Sequence, residues 1–195
     1  MIARDRFWLV AASALLFASL GSAQAQVKTD LTTAQMFAMA KPGQWIRIEG
    51  TPQKDQSVLC IKVKVLTGAV KDSAWTIRGA LRTIDAEKRV LAISRYRVRL
   101  IERPKFGSPT STLKGLSDLK PGMLLKVEGI YDKDEGFLAR KVNDESGSIA
   151  EKPGIERQIL LQGKIQRADP AKKTIALMAT TLTVTPKTRS SSEAK

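Results

Sequence analysis

Apolar and polar residues alternate in two copies of one segment of this chain. Residues 41–63 and 120–142 are identical at ten of 23 positions, and the offset between them is 79 residues. In each copy an apolar residue recurs at every second position after a Pro-Gly pair, which is the period of a half-buried strand. A polar turn and a second strand follow. Self-similarity at a fixed offset predicts a duplicated structural unit.

A second pair of matching segments, residues 77–100 and 161–184, has an offset of 84 residues. The apolar positions again recur with a period of two, so the pattern predicts strands joined by polar hairpin turns. Short helical patterns, with an apolar residue at every third position, cover residues 34–40 and 113–119. Each helix is predicted to end at the following Pro-Gly pair, because proline cannot donate the next helical hydrogen bond.

The order of these elements predicts the fold class. Residues 75–145 read strand, strand, strand, helix, strand, strand, which is the order of an OB-type barrel. Residues 26–66 supply a helix and two strands, and residues 157–187 supply three strands. We therefore predict a mainly β protein with two OB-like small barrels of five short strands and one short helix, one contiguous and one split. Tandem permuted units are the alternative, and residues 188–195 are predicted to be disordered.

The central unit contains the runs GALRTIDAEKRVLAISRYRVRL and LSDLKPGMLLKVEGIYDKDEGFLARKV. They resemble a family of exported bacterial domains of unknown function, whose units read G-x-I-x-x-I-D, then L-K-P-G-x-x-V-x-V-E-G and D-G-x-L-x-A-x-K-I. The resemblance covers the central unit fully and the outer segments in part. Leu81 and Glu135 depart from the pattern. The resemblance implies an OB-like β-fold and export, and it carries over no catalytic or ligand-binding residue.

Residues 1–25 have the plan of a secretory signal peptide. Two arginines precede an apolar stretch over residues 7–20, and Ala23 and Ala25 have the spacing of a cleavage site. A membrane anchor is the weaker interpretation, because the stretch is short for a span of about 20 residues. No later segment is apolar for long enough to cross a bilayer. We expect a soluble periplasmic or secreted protein without a lipid anchor.

The chain has no histidine and a single cysteine. These counts exclude histidine-based catalysis, serine or cysteine triads, thiolate clusters and most zinc or iron sites. We predict no enzyme activity, no catalytic residue, no cofactor and no metal site. Cys60 matches Ala139 in the other copy, so a buried structural thiol is favoured over a reactive one.

The formal net charge is +14, and +13 remains without the predicted signal peptide, so the protein should attract anions. The run S-R-Y-R-V-R-L is predicted to place three arginines on one face of the third strand. A solvated face without a ligand is the alternative. The predicted anion-binding residues are Arg89, Arg95, Arg97, Arg99, Arg103 and Lys105.

Trp45 and its repeat counterpart Leu124 are predicted to point outward from their barrels. A tryptophan in that position either stacks on a sugar or base or packs on the neighbouring barrel, and two apolar residues at one repeat position favour packing. The sequence thus predicts an exported, non-enzymatic binding module for a polyanion or another envelope component. A scaffold that binds a protein partner is the first alternative, and a metal-dependent hydrolase is the second.

Overall fold

The structure, a computed structural model, describes residues 28–108 and 113–194. The predicted signal peptide, residues 1–25, lies outside the described residues. Two α-helices, α1 (Thr33–Met39) and α2 (Ser148–Glu151), and two 3₁₀ turns, Leu116–Asp118 and Ile155–Arg157, accompany the strands. The described strands are β1 Lys28–Leu31, β2 Trp45–Pro52, β3 Val58–Thr67, β4 Trp75–Asp85, β5 Val90–Ile93, β6 Tyr96–Gly107, β7 Leu124–Asp132, β8 Gly136–Asp144, β9 Ile159–Lys164, β10 Arg167–Asp169, β11 Thr174–Leu177, β12 Thr180–Thr183 and β13 Arg189–Ala194.

Five of these strands form a closed barrel, which confirms the prediction of a mainly β fold. The strands β4, β5 and β6 pair antiparallel in sequence order, β6 pairs parallel with β8, and β7 pairs with both β8 and β4. Each of the five strands therefore has a hydrogen-bonded neighbour on both sides. The interior is filled by alternate apolar side chains, among them Ile77, Leu91, Val98, Val127 and Phe137.

The helix predicted ahead of the second Pro-Gly pair is only a 3₁₀ turn, Leu116–Asp118. Gly115 is extended, with φ −162°, so a helix cannot begin before Leu116. The carboxylate of Asp118 accepts hydrogen bonds from the backbone N–H groups of Lys114 and Gly115 and closes the turn. The matching helix α1 is longer because Thr32 and Gln35 cap it reciprocally.

The outer segments pair in the same pattern as the barrel strands. The strand β2 pairs with β3 and with β9, β11 pairs with β10 and β12, and β12 pairs parallel with β3. Only two residues, Ile165 and Gln166, separate β9 from β10. Strands from the two ends of the chain are therefore hydrogen-bonded to each other.

The prediction that the C-terminal tail is disordered is wrong for its described residues. The strand β13 pairs parallel with β3 and antiparallel with β1. Arg189 lies opposite Lys62 of β3, just as Lys105 lies opposite Lys141 in the central barrel, and the repeat offsets relate these two pairs. Backbone hydrogen bonds hold β13 in the sheet, and they need no apolar side chain. The polar composition of the segment therefore gave no indication of a strand.

The two parts of the sheet meet where β4 pairs antiparallel with β9. Ile77 lies opposite Leu161, and these residues occupy the same position in the repeat. Equivalent residues that face each other mark a pseudo-two-fold axis between the two copies. A continuous antiparallel sheet, in the order β3, β2, β9, β4, β7 and β8, crosses this axis.

The two copies share a β-bulge, which places Cys60 in the core. The strand register shifts at Gly50 opposite Cys60 and at Gly129 opposite Ala139. A Cβ on either glycine would lie 2.5 Å or 2.1 Å from a carbonyl oxygen of the partner strand, so no larger residue fits there. The prediction of a buried Cys60 is confirmed, and burial raises the pKa of its thiol to about 12.

Candidate functional site

Two of the predicted arginines lie on the outer face of the barrel strand β6. Arg97 and Arg99 are exposed, whereas Val98 and Leu100, which alternate with them, are buried in the core. This alternation follows from the two-residue period of a strand. The predicted face therefore exists for these two side chains.

The prediction that Arg95 shares this face is wrong. Arg95 lies in the turn between β5 and β6, next to Ser94 with φ 51°, so it precedes the alternation of the strand. Its guanidinium group donates to the carbonyl oxygen of Gln56 and lies 5.6 Å from the ring centroid of Tyr96. Because Gln56 belongs to the β2–β3 turn, Arg95 joins the barrel to the outer segment.

Arg89 and Arg99 have partners within the protein. Arg89, with φ 54°, donates through Nη2 to the carbonyl oxygen of Glu102. Nη2 of Arg99 lies 2.7 Å from Oε2 of Glu135, in a pair whose side chains are about half exposed or more. Such a surface pair contributes at most about 1 kcal/mol, so a multivalent anion can replace Glu135 as the partner of Arg99.

The neighbouring strand β8 adds cations that the sequence did not suggest. Arg140 is the extra residue of the β-bulge, and both Arg140 and Lys141 are exposed. The bulge explains why two consecutive side chains face the solvent. Ile61 occupies the position of Arg140 in the other copy. This difference between the two copies is the sequence feature that could have indicated an additional cation at Arg140.

The paired strands β6 and β8 carry exposed cations, which we call the cationic face, and the exposed Glu102 also lies on β6. Lys105 lies directly opposite Lys141, a like-charge pair that destabilises a sheet, whereas Glu128 of β7 lies opposite Lys141 on its other side. Within residues 28–108 and 113–194, its members make no ion pair. The cationic face consists of Arg97, Arg103, Lys105, Arg140 and Lys141.

Trp45 lies between the outer segment and the barrel. Its ring centroid is 5.3 Å from that of Trp75 on β4, and Trp75 is 5.3 Å from Tyr131 on β7. The Nζ atom of Lys164 lies 5.7 Å from the Trp45 ring. With 6% of its surface exposed, Trp45 has no ring face open to a sugar or base, and its counterpart Leu124 is fully buried. These contacts favour the packing interpretation.

Two carboxylates at the hairpin turns have structural partners. The side-chain hydroxyl of Ser57, followed by its backbone N–H, lowers the pKa of Asp55. The backbone N–H groups of Glu135 and Asp134 lower the pKa of Asp132. In the described part of the chain no three His, Cys, Asp or Glu residues come together as a metal-binding group, and no helix there is long and apolar enough to span a membrane.

Comparisons with family models, with curated proteins and with solved structures find no match to this chain. The resemblance of the central unit to exported domains of unknown function therefore stays a prediction.

Proposed function

We propose that this chain is an exported, non-enzymatic binding module that engages a polyanion or another anionic envelope component through the cationic face. The main supporting observation is the direct opposition of Lys105 and Lys141, neither of which makes an ion pair in the described part of the chain, although Glu128 lies opposite Lys141 on β7. Anions relieve such repulsion, and the net charge of +13 that remains without the predicted signal peptide attracts them to the surface.

We also propose that the outer segments form a second OB-like barrel. The central strands close in the order β4, β5, β6, β8 and β7, and the outer strands follow the equivalent order β9 with β10, β11, β12, β3 and β2. In both orders the third strand runs parallel to the fourth, β6 to β8 and β12 to β3. This shared order, which is that of an OB barrel, supports a split unit over tandem permuted ones.

Deleting residues 159–195 tests this architecture. Residues 30–66 should then lose the protection of their amides from exchange, because their strand partners are gone, whereas residues 75–145 keep theirs. If residues 30–103 stay protected as one cooperative block, tandem permuted units are the correct description.

Export is the third part of the proposal. The small residues Ala23 and Ala25 fit the pockets of a signal peptidase, so the mature protein should begin at Gln26. Mass spectrometry of the periplasmic fraction measures this terminus. An uncleaved chain in the membrane pellet would contradict the proposed location.

Salt dependence tests the cationic face. Heparin or single-stranded DNA serves as the probe, because each cation that contacts a phosphate of single-stranded DNA adds about 0.7 to the slope of log affinity against log salt. The variant Arg97→Thr, Arg140→Gln, Lys141→Gln should reduce the slope by about two units. Arg97→Thr copies Thr181 of the other repeat, so folding should survive.

A matched variant removes the same number of charges elsewhere. Lys71, Lys152 and Lys172 are exposed and lie on three separate turns or loops, and their replacement by Gln should leave most of the slope intact. Equal slopes for both triple variants would mean that the cationic face is only a solvated surface. The function would then be that of a scaffold for a protein partner.

A further inference from the structure

A pocket lies on one face of the sheet where β4 of the barrel pairs with β9 of the outer segment. We call it the joint pocket. Its volume is about 260 Å³, several times the roughly 30 Å³ that one water molecule occupies in the liquid. It therefore has room for a small anionic group. Its polar lining consists of three cations, Arg47, Arg78 and Lys126, two carboxylates, Glu128 and Glu145, and the uncharged Thr76 and Gln162.

Arg78 is the least satisfied side chain of the joint pocket. It lies directly opposite Lys126 across β4 and β7, so two like charges face each other. Its side chain is 11% exposed, and its buried Nε has no hydrogen-bond partner among the described residues. The nearest carboxylate oxygen, Oε2 of Glu145, is 3.9 Å from Nη1. A guanidinium group with unused donors in such a position costs free energy that a bound anion would recover.

Arg47 is held in place on the other side of the axis. Its Nε donates to Oε1 of Gln162 over 2.7 Å, and Nε2 of Gln162 donates to the carbonyl oxygen of Ala74 over 2.7 Å. This chain of bonds fixes the guanidinium plane while its two terminal nitrogens make no hydrogen bond to the described residues. A guanidinium group oriented in advance loses little entropy when it binds an anion.

The repeat relates the members of the joint pocket in pairs. Arg47 corresponds to Lys126 at the offset of 79, and Arg78 corresponds to Gln162 at the offset of 84. The pocket thus straddles the pseudo-two-fold axis and receives cations from both copies. Glu145 and Glu128, which is 3.2 Å from Lys126, reduce the excess to one positive charge. That excess suits a single anionic group.

We propose that the joint pocket binds one small oxyanion, a phosphate or a carboxylate, between Arg47, Arg78 and Lys126. Arginine presents paired N–H donors that match the two oxygens of either group, and charge-assisted hydrogen bonds of this kind are roughly twice as strong as neutral ones. The joint pocket and the cationic face have no residue in common. The inference therefore goes beyond the proposed function, and each can fail while the other holds.

Thermal unfolding and titration calorimetry of the full chain test the site, with inorganic phosphate and succinate as separate probes and sodium chloride at equal ionic strength as the reference. Either oxyanion should raise the unfolding temperature along a saturable curve, because a ligand that binds only the folded state stabilises it by mass action. The probe with the higher affinity identifies the source of the oxyanion. No saturable effect from either probe would overturn the proposal.

The variants that test the site replace a residue by its counterpart in the other copy of the repeat. Arg78→Gln installs the residue of the other copy and should weaken binding of the oxyanion about tenfold or more, since it removes a charged hydrogen-bond donor. Arg97→Thr, which also copies the other repeat but lies on the cationic face, should bind it as the parent does. Unchanged affinity in Arg78→Gln would overturn the site.

Two further measurements address a failure of the variant to fold and any overlap between the joint pocket and the cationic face. If Arg78→Gln fails to fold, Lys126→Gln takes its place, because the Lys126 side chain is 33% exposed and tolerates replacement. The slope of heparin binding against salt should be the same for Arg78→Gln and the parent. A slope reduced as far as in the triple variant of the cationic face would mean that the joint pocket is not a separate site.

Discussion

The phenol oxygen of Tyr96 lies 2.5 Å from Oγ1 of Thr180, and these two residues hold the same position in the two copies of the repeat. Ile77 and Leu161 face each other in the same way on the paired strands β4 and β9. Two such contacts between equivalent residues are what the axis of a symmetric dimer produces. The contacts between these matching residues therefore resemble those across the axis of a homodimer.

The Tyr96 hydroxyl should stabilise this joint measurably. Tyr96→Phe keeps the ring and removes the hydrogen bond to Thr180, so we expect the free energy of unfolding to fall by about 1 kcal/mol. Urea unfolding of Tyr96→Phe, Thr180→Ala and the double variant gives the coupling energy between the two side chains. Additive single effects would contradict a direct hydrogen bond.

The glycines of the two β-bulges should be irreplaceable. Gly50→Ala and Gly129→Ala each place a methyl group against a carbonyl oxygen, at 2.5 Å from Leu59 O and 2.1 Å from Leu138 O. We expect each variant to lose about 2–4 kcal/mol, measured by chemical denaturation. Gly147→Ala is the control, because a Cβ there meets no atom within 4 Å, and its effect should stay within about 0.5 kcal/mol. Similar losses in all three would show that the bulges have no special requirement.

Most of the features of the fold that the sequence could predict came from the internal repeat. Period-two patterns identified the strands that bury Ile77, Val98 and Leu182, since one face of each must meet the core. They could not identify β13, which is held by backbone hydrogen bonds and has serines at its buried positions Ser190 and Ser191. Composition alone does not distinguish such a strand from a disordered tail.

The candidate sites, like the fold, could be predicted from the sequence only in part. The two-residue alternation correctly predicted that Arg97 and Arg99 lie on one face of β6. It does not apply to Arg95, because this residue precedes β6, in a turn, and donates a hydrogen bond to Gln56 of the outer segment. The joint pocket depends on the pairing of β4 with β7 and β9, which brings Arg78 opposite Lys126. A pattern within one segment contains no information about its partner strand.

The last residues of the chain should contribute to stability. Deleting residues 188–195 removes β13, which covers an edge of β3 and is the strand partner of β1, and it also removes the ion pair between Lys64 and Glu193. We expect a loss of roughly 3 kcal/mol and faster amide exchange in Lys28–Leu31. Glu193→Gln removes the charge and keeps the strand, so amide protection of β1 should persist in that variant. A deletion without effect on stability would restore the interpretation of a disordered tail.

The buried thiol of Cys60 should make stability fall at alkaline pH. Burial raises its pKa from 9.0 to about 12, so the folded state retains the proton that the unfolded chain releases. The stabilisation is complete below pH 9 and is lost as the pH rises through about 12, with a slope of up to about 1.4 kcal/mol per pH unit.

Cys60→Ala isolates this effect, because Ala139 fills the same position in the other copy. The variant should lose about 1 kcal/mol at pH 7 for the missing sulfur, and this deficit should shrink as the pH rises above 9, since only the parent contains the thiol. Burial also raises the pKa of Tyr96, but that contribution is common to both proteins and cancels in the difference. Urea unfolding at several pH values between 7 and 11 measures the deficit. A deficit independent of pH would mean that the thiol ionises as easily in the folded state as in the unfolded chain, and that Cys60 is accessible to solvent.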